Sequence, residues 1–533
     1  MPSGSGVRGP AIPVLTELLH RLRGRVARTP LVGRLAGGDE ESTAVALAQG
    51  FVASLMILVG SWGVGWLAST QQSVFARTTF LHPLRVEAPG VIACTVLLAL
   101  GSMVLCRAWL RLGQRGGDDA GTQGRAVRNA VLLWSAPLML TFPIFSRDVY
   151  SYFGQGRLLH SGLSPYENWI SQLPGWFAQG SDSLWAESAS PYGPLFLMAS
   201  QAIYFVTNAV PEAGVILFRV LAAAGVLLCL YVLPRLASAH GSDPAWAVWI
   251  SLANPLFLLN MIAGVHNDAL MLGGILLSFL LARRGRPLAA LLAVSVAIGI
   301  KPIAVLALPF IGLALAGRGA GWPARVRAWL YTGAVVAAAL TLFGWVSGLW
   351  FGWIPAMAGA GSAAFPYAPV GLLGLGIGWL ASLAGADLST VADLVFTVFK
   401  LAALGLTAFL ALRRPAMEPV LGCAYALTAA VVLAPIIQPW YFLWLVPLFA
   451  AVKVHTGGWV RFWYLLSMVL VLAGVVDQVS VAQWINIALV RGIAAAVGLL
   501  YLAYLVFVDP KTAQLFTRRT PDRRTLEKGP QTP

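Results

Sequence analysis

The sequence predicts an all-α integral membrane protein, built as a polytopic helix bundle. Of its 533 residues, 58% are hydrophobic and only 11% are charged, and its mean hydropathy is +0.76. Soluble proteins carry about 25% charged residues, so a water-soluble fold could not cover its surface with so few ions. The same composition excludes a disordered scaffold, a secreted disulfide-rich protein and a coiled coil. The four cysteines lie within apolar runs and lack the spacing of a zinc or redox pair.

The apolar segments are close to the ~20 residues that a spanning helix needs. In chain order they are 44–69, 88–110, 129–145, 214–234, 244–262, 268–282, 326–349, 389–412, 419–436, 459–476 and 484–507. No internal repeat is visible between the two halves of the chain. This disfavours a secondary transporter built from inverted repeats.

Basic residues set the predicted orientation of the bundle. The chain carries 36 Lys and Arg against 21 Asp and Glu, a net charge of +15. The arginines gather in short runs between apolar segments, as in cytosolic loops, so we expect a membrane protein without a nucleic-acid partner. The basic run at 111–128 puts the second connection in the cytosol, and 146–191 becomes a large external loop. Assigning the apolar segments so that every basic loop is cytosolic predicts about 14 crossings of the plasma membrane, with both termini cytosolic.

Three apolar segments cannot be single full crossings if the basic loops are to stay cytosolic. The segment 287–317 must enter and return as two short helices, with Lys301 at the outward apex. The segment 192–206 is predicted as a juxtamembrane helix in the outer leaflet, and 369–385 as a second partial helix. The predicted organisation is a basic cytosolic tail (1–43), two helices with a cytosolic loop (44–128), a catalytic transmembrane core (129–508) and a cytosolic tail (509–533).

A candidate catalytic carboxylate lies where the third apolar segment meets water. Asp148 follows the run from Phe142 to Arg147 and is followed by Tyr150 and Tyr152. A carboxylate at the membrane boundary can act as general base on a sugar hydroxyl while lipid holds the other substrate. The alternative is that Arg147, Asp148 and Tyr150 only form an interfacial belt.

A second candidate is the polar turn His266-Asn267-Asp268 between two apolar segments. His266 and Asn267 can face a cavity and bind sugar or phosphate. The alternative is that Asp268 merely caps the helix that starts there. The other histidines lack the spacing of metal ligands, so no histidine metal site is predicted.

Three isolated cations interrupt otherwise apolar helices: Lys301, Arg219 and Arg491. A cation at such depth costs about 2.5–3.5 kcal/mol on insertion scales, so each needs an anionic partner. Asp268, Asp393 or Asp477 could supply a structural partner for one or two of them. The other candidate partner is a lipid phosphate in the outer leaflet.

Five stretches together resemble a known enzyme family. They are FSRDVYSYFGQGRLLHSGLSPYENW from Phe145, SPYGPLF from Ser190, NPLFLLNMIAGVHNDALMLG from Asn254, IKPIAVLALPF from Ile300 and QPWYFLWLVPL from Gln438. In this order they resemble the actinobacterial polyprenyl-phosphomannose-dependent α(1→6)-mannosyltransferases, which are integral-membrane glycosyltransferases of the GT-C superfold.

The resemblance implies an inverting transfer of mannose from polyprenyl-phosphate mannose to the 6-hydroxyl of a phosphatidylinositol-mannoside or mannan acceptor. Asp148 would be the base, and Lys301, with His266, Arg219 or Arg491, would hold the leaving phosphate. Cations suit a leaving phosphate better than a second acid does, and we expect no cofactor and no divalent metal. The candidate sugar- and acceptor-binding residues are Arg147, Tyr150, Tyr152, Tyr166, Tyr192, Asn267, Asp268, Gln438, Trp440 and Tyr441.

A polyprenyl-linked saccharide flippase remains the alternative function. It would use the same cations along a transport path and should place polar residues in the cytosolic half of several spans. In this sequence the polar residues concentrate on the predicted outer side, which favours the enzyme.

The predicted orientation can be tested by cysteine labelling. Ser164→Cys should react in intact cells with a membrane-impermeant thiol reagent, because 146–191 is assigned to the outside. Arg284→Cys, in a loop assigned to the cytosol, is the matched control and should react only after permeabilisation. A Ser164→Cys variant that stays unlabelled would overturn the whole layout.

Overall fold

The computed structural model describes residues 43–75, 78–113, 120–359, 368–452, 458–478 and 486–517. All regular secondary structure within these ranges is helical, as the sequence predicts. Most of the two predicted tails, residues 1–42 and 518–533, lies outside the described residues.

The helices are labelled in chain order. They are α1 (Thr43–Val64), α2 (His82–Arg85), α3 (Ala88–Leu112), α4 (Ala120–Leu138), α5 (Asp148–His160), α6 (Pro194–Val206), α7 (Pro211–Ala239), α8 (Pro244–Ser251), α9 (Pro255–Leu258, continued by the π-helix Leu259–Ala263), α10 (Asp268–Arg283), α11 (Pro287–Ile300), α12 (Leu308–Ala316, preceded by the 3-10 helix Pro302–Ala307), α13 (Trp322–Ser347), α14 (Trp353–Gly359), α15 (Pro369–Ser382), α16 (Leu388–Leu412), α17 (Pro419–Val432), α18 (Leu445–Ala451, preceded by the 3-10 helix Pro439–Trp444), α19 (Gly458–Gln478), α20 (Ile487–Ala503, continued by the π-helix Tyr504–Val508) and α21 (Ala513–Thr517).

Seven helices in the described part of the chain are long and apolar enough to cross a membrane. They are α1, α3, α7, α13, α16, α19 and α20 with its π-helical end, and each coincides with a predicted segment. α8 and α9 make an eighth candidate, which is bent by 57°. These features agree with a membrane helix bundle, but the predicted count of about 14 crossings is not confirmed.

The shorter apolar helices match the segments predicted to be partial. α6 has 13 residues and covers most of 192–206. α11 has 14 residues and ends directly before Lys301, and a second apolar helix begins directly after it. α15 has 14 residues and lies within 369–385. Their depth in the membrane stays a prediction.

The segment predicted at 129–145 is shifted in the structure. α4 begins at Ala120 and ends at Leu138, so it includes Arg125 and Arg128. Arginine is a good helix former, and a helix can therefore continue through it into the preceding loop. At the other end Pro143 lacks an N–H donor, and Phe145 adopts a positive φ of 65° that no α-helix contains.

The predicted external loop 146–191 is folded. It contains α5 and two 3-10 helices, Ile170–Gln172 and Ser183–Trp185. Arg157 Nη1 donates to the Pro174 carbonyl at 2.9 Å, and the Ser190 N–H donates to the Pro165 carbonyl at 2.9 Å. The first bond ties the loop to the last turn of α5, and the second joins two parts of the loop to each other.

The first part of the predicted C-terminal tail is packed against the bundle. Asp509 is 0% exposed, and its Oδ2 pairs with Arg107 Nε of α3 at 2.6 Å. Thr512 is also fully buried, and its hydroxyl donates to the Leu505 carbonyl at 2.6 Å. The start of the predicted cytosolic tail is thus packed against the bundle at Asp509 and Thr512, and the cytosolic location of the tail stays a prediction.

Among the described residues, the longest unbroken buried run is the segment 247–269. α4, α7, α18 and α19 pack around it. α7 approaches α10 closely at Gly225, where an added Cβ would lie 2.5 Å from the Leu270 nitrogen. Such small-residue contacts are typical of helix packing in membranes. The segment ends in the polar turn 266–268.

Gly193 lies just after the predicted external loop and fastens this end of the loop, where α6 begins, to the end of α11. Its N–H donates to the Ile300 carbonyl at 3.0 Å, and a Cβ added there would collide with the Gly299 carbonyl. The residue beyond Ile300 is Lys301, so this contact joins the loop to the segment that carries the predicted phosphate ligand.

We expect Gly193→Ala to destabilise this junction by about 1–3 kcal/mol, because the added methyl group must push two backbones apart. Thermal unfolding in detergent should show a lower midpoint, and membrane activity should fall with it. Gly333→Ala on α13, where nothing lies within 4 Å of the added Cβ, is the matched control and should unfold as the wild type does. Equal midpoints for both variants would contradict the role of this contact.

Candidate active site

Three helix ends bring the charged residues of the site together. Asp148 is the first residue of α5, Asp268 is the first residue of α10, and Lys301 directly follows the last residue of α11. A helix N-terminus favours a negative charge and a helix C-terminus favours a positive one. Each charge therefore lies at the end of the helix dipole that stabilises it.

The turn before Asp148 is held by two helices. The Phe145 N–H donates to Gln478 Oε1 of α19 at 2.8 Å, and Gln478 Nε2 donates to the Val64 carbonyl of α1 at 2.6 Å. Ser146 Oγ accepts the Asp148 N–H at 3.1 Å. No sequence pattern points to Gln478, because it lies more than 300 positions from the turn that it holds.

The turn before Asp268 has an uncommon backbone. Val265 has a positive φ of 61°, which is rare for a β-branched residue and costs on the order of 1–3 kcal/mol. The Gly264 N–H donates to the Leu259 carbonyl at 2.7 Å, and the His266 N–H to the Asn260 carbonyl at 3.3 Å. These bonds hold the turn and fix the direction of the His266 side chain.

Asp268 is the centre of a buried ion pair. Its Oδ1 accepts from Lys301 Nζ at 2.6 Å and from Trp444 Nε1 at 2.6 Å. The Asp268 side chain is 1% exposed and that of Lys301 is 12% exposed. The sequence left two partners open for Lys301, a carboxylate or a lipid phosphate, and the structure shows the carboxylate of Asp268 bonded to it. Trp444 was not among the predicted residues, although it lies in the fifth of the five stretches.

Aromatic rings surround the Lys301 ammonium group. Nζ lies 5.1 Å from the ring centroid of Trp444, 5.7 Å from that of Tyr192 and 5.8 Å from that of Tyr441. Distances below about 6 Å allow attraction between the cation and the ring face. The rings therefore hold the charge in place on the sides that Asp268 does not cover.

His266 links the two carboxylates. Its Nδ1 lies 3.6 Å from Asp148 Oδ2 and 4.0 Å from Asp268 Oδ2, and the Tyr152 hydroxyl lies 3.5 Å from the same nitrogen. The His266 ring stacks on Trp440 with centroids 4.0 Å apart. We call Asp148, His266, Asp268 and Lys301 the polar cluster.

The surroundings shift the protonation of the polar cluster. The Asp148 side chain is 14% exposed, and its burial raises its pKa to about 6. The positive charge of Lys301 opposes this rise, and the negative charge of Asp268 adds to it. Burial lowers the pKa of His266 to about 3, against the influence of Asp268. The imidazole is therefore neutral at pH 7, so its contact with Asp148 is not an ion pair.

Four polar side-chain atoms of the turn 266–268 are buried without a hydrogen-bond partner: His266 Nε2, Asn267 Oδ1, Asn267 Nδ2 and Asp268 Oδ2. Each such atom costs about 1–3 kcal/mol in a folded protein. The side chains of Asp148 and Lys301, which neighbour this turn, are partly exposed. Asp268 does more than cap a helix, because its carboxylate accepts hydrogen bonds from the side chains of Lys301 and Trp444.

A family model described as Alpha-(1->6)-mannopyranosyltransferase, N-terminal domain, matches residues 47–317. The sequence is 32% identical over 443 residues to a probable alpha-(1->6)-mannopyranosyltransferase of Mycolicibacterium smegmatis, covering 75% of this chain and 78% of the relative. It is 30% identical over 429 residues to alpha-(1->6)-mannopyranosyltransferase A of Corynebacterium glutamicum, covering 75% of this chain and 86% of the relative. The chain belongs to the alpha-(1->6)-mannopyranosyltransferase family.

A third member of the family, alpha-(1->6)-mannopyranosyltransferase A of Mycobacterium tuberculosis, is 30% identical over 414 residues, covering 74% of this chain and 78% of the relative. The resemblance inferred from the five stretches is thereby confirmed. No solved structure matches this chain, and the GT-C architecture stays a prediction.

The part of the chain matched by the family model contains the whole polar cluster. The 3-10 helix Pro439–Trp444, which supplies Trp440 and Trp444, lies beyond the matched residues. The site of this family member therefore combines the family's N-terminal domain with a segment from the second half of the chain.

Several predicted binding residues support the surrounding loops. Arg147 Nε donates to the Gly180 carbonyl at 2.8 Å, and the Tyr150 hydroxyl donates to the Trp66 carbonyl at 2.9 Å. The Tyr166 hydroxyl donates to the Tyr192 carbonyl at 2.8 Å. The Gln438 carbonyl accepts the Tyr441 N–H at 3.0 Å. These bonds show a structural use for Arg147, Tyr150 and Tyr166 beside the predicted binding role.

The other two predicted phosphate ligands have acceptors outside the polar cluster. Arg219 is 2% exposed, and its guanidinium donates to the backbone carbonyls of Ile262, Ala263 and Met139. Arg491 Nη2 lies 3.4 Å from Asp477 Oδ1. Arg219 thus takes neutral carbonyls instead of the anionic partner that its depth predicts, and of the three isolated cations only Lys301 belongs to the cluster.

Among the described residues, no group of three or more His, Cys, Asp or Glu side chains is arranged to hold a metal ion. The expectation that no divalent metal is required stays a prediction.

Proposed function

We propose that the protein is an inverting mannosyltransferase. It moves mannose from polyprenyl-phosphate mannose to the 6-hydroxyl of a phosphatidylinositol-mannoside or mannan acceptor on the outer face of the plasma membrane, as a step in building the core of lipomannan and lipoarabinomannan. Membership of the alpha-(1->6)-mannopyranosyltransferase family supports mannosyl transfer. The observation that carries the proposal is the position of Asp148, a partly exposed carboxylate that lies 3.6 Å from the buried His266 imidazole. The same imidazole lies 4.0 Å from Asp268, which holds the partly exposed Lys301.

Asp148 acts as the general base in this reaction. It takes the proton of the acceptor hydroxyl as that oxygen attacks the anomeric carbon of mannose. The bond from the anomeric carbon to the phosphate oxygen breaks on the opposite face, and its electron pair leaves with the polyprenyl phosphate. A single displacement of this kind turns a β-linked donor into an α-linked product. With a pKa of about 6, Asp148 is ionised at pH 7 and is a stronger base than an ordinary aspartate.

Lys301 stabilises the leaving phosphate. The departing group gains negative charge as the bond breaks, and a preorganised cation lowers the energy of that state without a proton transfer. The aromatic rings of Tyr192, Tyr441 and Trp444 keep the ammonium group in position. One cation held in this way can serve the phosphate without a divalent metal, and no metal is part of the proposed mechanism.

Tyr441 offers a partly exposed aromatic ring for the sugar. Sugar rings carry C–H groups that pack well on aromatic faces. Trp440 is buried and stacks on His266, and Tyr441 packs edge-on against it with centroids 6.0 Å apart. Trp440 therefore supports both His266 and the ring of Tyr441, and a mannose on Tyr441 would lie beside the ammonium group of Lys301.

We expect Asp148→Asn to lower transfer of radiolabelled mannose from polyprenyl-phosphomannose by about 10²–10⁴-fold in isolated membranes, because the amide cannot accept the proton. Glu187→Gln, which changes an exposed carboxylate in the same loop, is the matched control and should retain activity. Both variants must be present in membranes at wild-type amounts. Retained transfer by Asp148→Asn would exclude this residue as the base, and a flippase would move the lipid without forming a glycan product.

We expect Lys301→Ala to raise the apparent Michaelis constant for the lipid donor about 10- to 100-fold, the size of one lost hydrogen bond to a charged group. Arg491→Ala is the comparison, since Arg491 is the predicted phosphate ligand that pairs with Asp477 instead. Initial rates against donor concentration separate the two residues. If the Michaelis constant for the donor is unchanged in Lys301→Ala but raised in Arg491→Ala, the phosphate site lies at Arg491 on α20 and the proposed role of Lys301 is wrong.

A further inference from the structure

The charge of Lys301 is balanced by a buried carboxylate in the structure. Its ammonium group and the Trp444 indole both donate to Asp268 Oδ1, at 2.6 Å each. Asp268 is 1% exposed, so water does not screen its charge. A phosphate that approaches Lys301 therefore meets a fixed negative charge on the same ammonium group. A site evolved only to bind phosphate would gain affinity by losing this carboxylate.

Asp268 also bears on the proposed base. Its Oδ2 accepts no hydrogen bond in the structure and lies 4.0 Å from His266 Nδ1, the nitrogen that is 3.6 Å from Asp148 Oδ2. The two carboxylates thus flank one buried imidazole from opposite helices. What they share is Lys301, which bonds to one of them and acts on the other through its charge.

This inference rests on the proposed function. We propose that Asp268 is a positioning residue whose negative charge balances the positive charge of Lys301 until the lipid phosphate arrives. Binding of the donor then makes the charge around Asp148 more negative, and Asp148 becomes a stronger base. In the free enzyme the charges of Asp268 and Lys301 cancel. The donor phosphodiester adds one negative charge beside Lys301, and Asp148 then holds a proton more firmly. The base reaches full strength only when the donor is present.

A small set of charged and titratable groups surrounds Asp148. They are the charged Lys301, Asp268 and Asp182, the neutral His266, the phenols of Tyr152 and Tyr192, and the Ser146 hydroxyl. Burial raises the pKa of both phenols, and they stay neutral in the range where Asp148 titrates. Lys301 is the one positive charge among these groups, so its neutralisation dominates any change at Asp148.

The first test uses only the wild-type enzyme and measures the pH dependence of its mannose transfer. Mannose transfer is measured in membranes from pH 4.5 to 8, with labelled polyprenyl-phosphomannose at limiting and at saturating concentration. The acid limb of kcat/KM for the donor reports the free enzyme, and that of kcat reports the donor complex. We expect the second limb to lie about one pH unit above the first, as for a unit charge added several ångströms away. Coincident limbs would overturn the proposal.

Asp268→Asn provides the second test, because the amide keeps an oxygen for Lys301 and Trp444 but removes the charge. The Michaelis constant for the donor should fall severalfold, while kcat falls and its acid limb moves about one pH unit lower. If Asp268 had only a structural role, the substitution would raise the Michaelis constant for the donor and leave the acid limb of kcat unchanged. That result would overturn the proposal.

The double variant Asp268→Asn with Lys301→Met restores the net charge of the pair and is the matched control. Its acid limb should return toward that of the wild type although its Michaelis constant rises; a limb that stays low would contradict the charge argument. These outcomes are separate from the proposed function. A wild-type protein that transfers no mannose would reject the function itself, whereas an active wild type with coincident limbs rejects only the coupling.

Discussion

A carboxylate buried inside an apolar helix bundle is the constraint on which the rest of the site depends. Asp268 is almost without solvent contact, and an ionised group in such a place is tolerated only with a close partner and further hydrogen bonds. Lys301 and Trp444 supply both from distant parts of the chain. Satisfying this one charge therefore requires α10, the hairpin after α11 and the 3-10 helix before α18 to meet at a single point.

Backbone strain is concentrated around the same point. Phe145 and Val265 both have a positive φ, and each lies three residues before an aspartate that begins a helix. Conformations of this kind persist only where their surroundings over-determine them. Gln478 does this for the first turn, and the carbonyls of the π-helix before Gly264 do it for the second. The strain directs two carboxylates toward one imidazole.

Much of the site could be anticipated from the scarcity of charge. With few ionised residues in the chain, an acid at a membrane boundary or a cation inside an apolar helix stands out, and Asp148 and Lys301 were found in this way. Partners made of backbone or of distant residues could not be found. The carbonyls that receive Arg219 belong to no sequence pattern, and Gln478 and Trp444 resemble many other polar or aromatic residues near the ends of apolar segments.

The membrane helix bundle, the positions of most of its long helices and the family can all be predicted from the sequence. These properties follow from the lengths of the apolar runs and from local motifs, which a linear chain displays directly. Which charges neutralise one another depends on how the helices pack. Lys301 could pair with Asp268 or with a lipid phosphate, and Arg219 could seek an anion or a carbonyl. The choice depends on a few ångströms between helices that are far apart in the chain, because Coulomb energy in a buried site changes steeply over that distance.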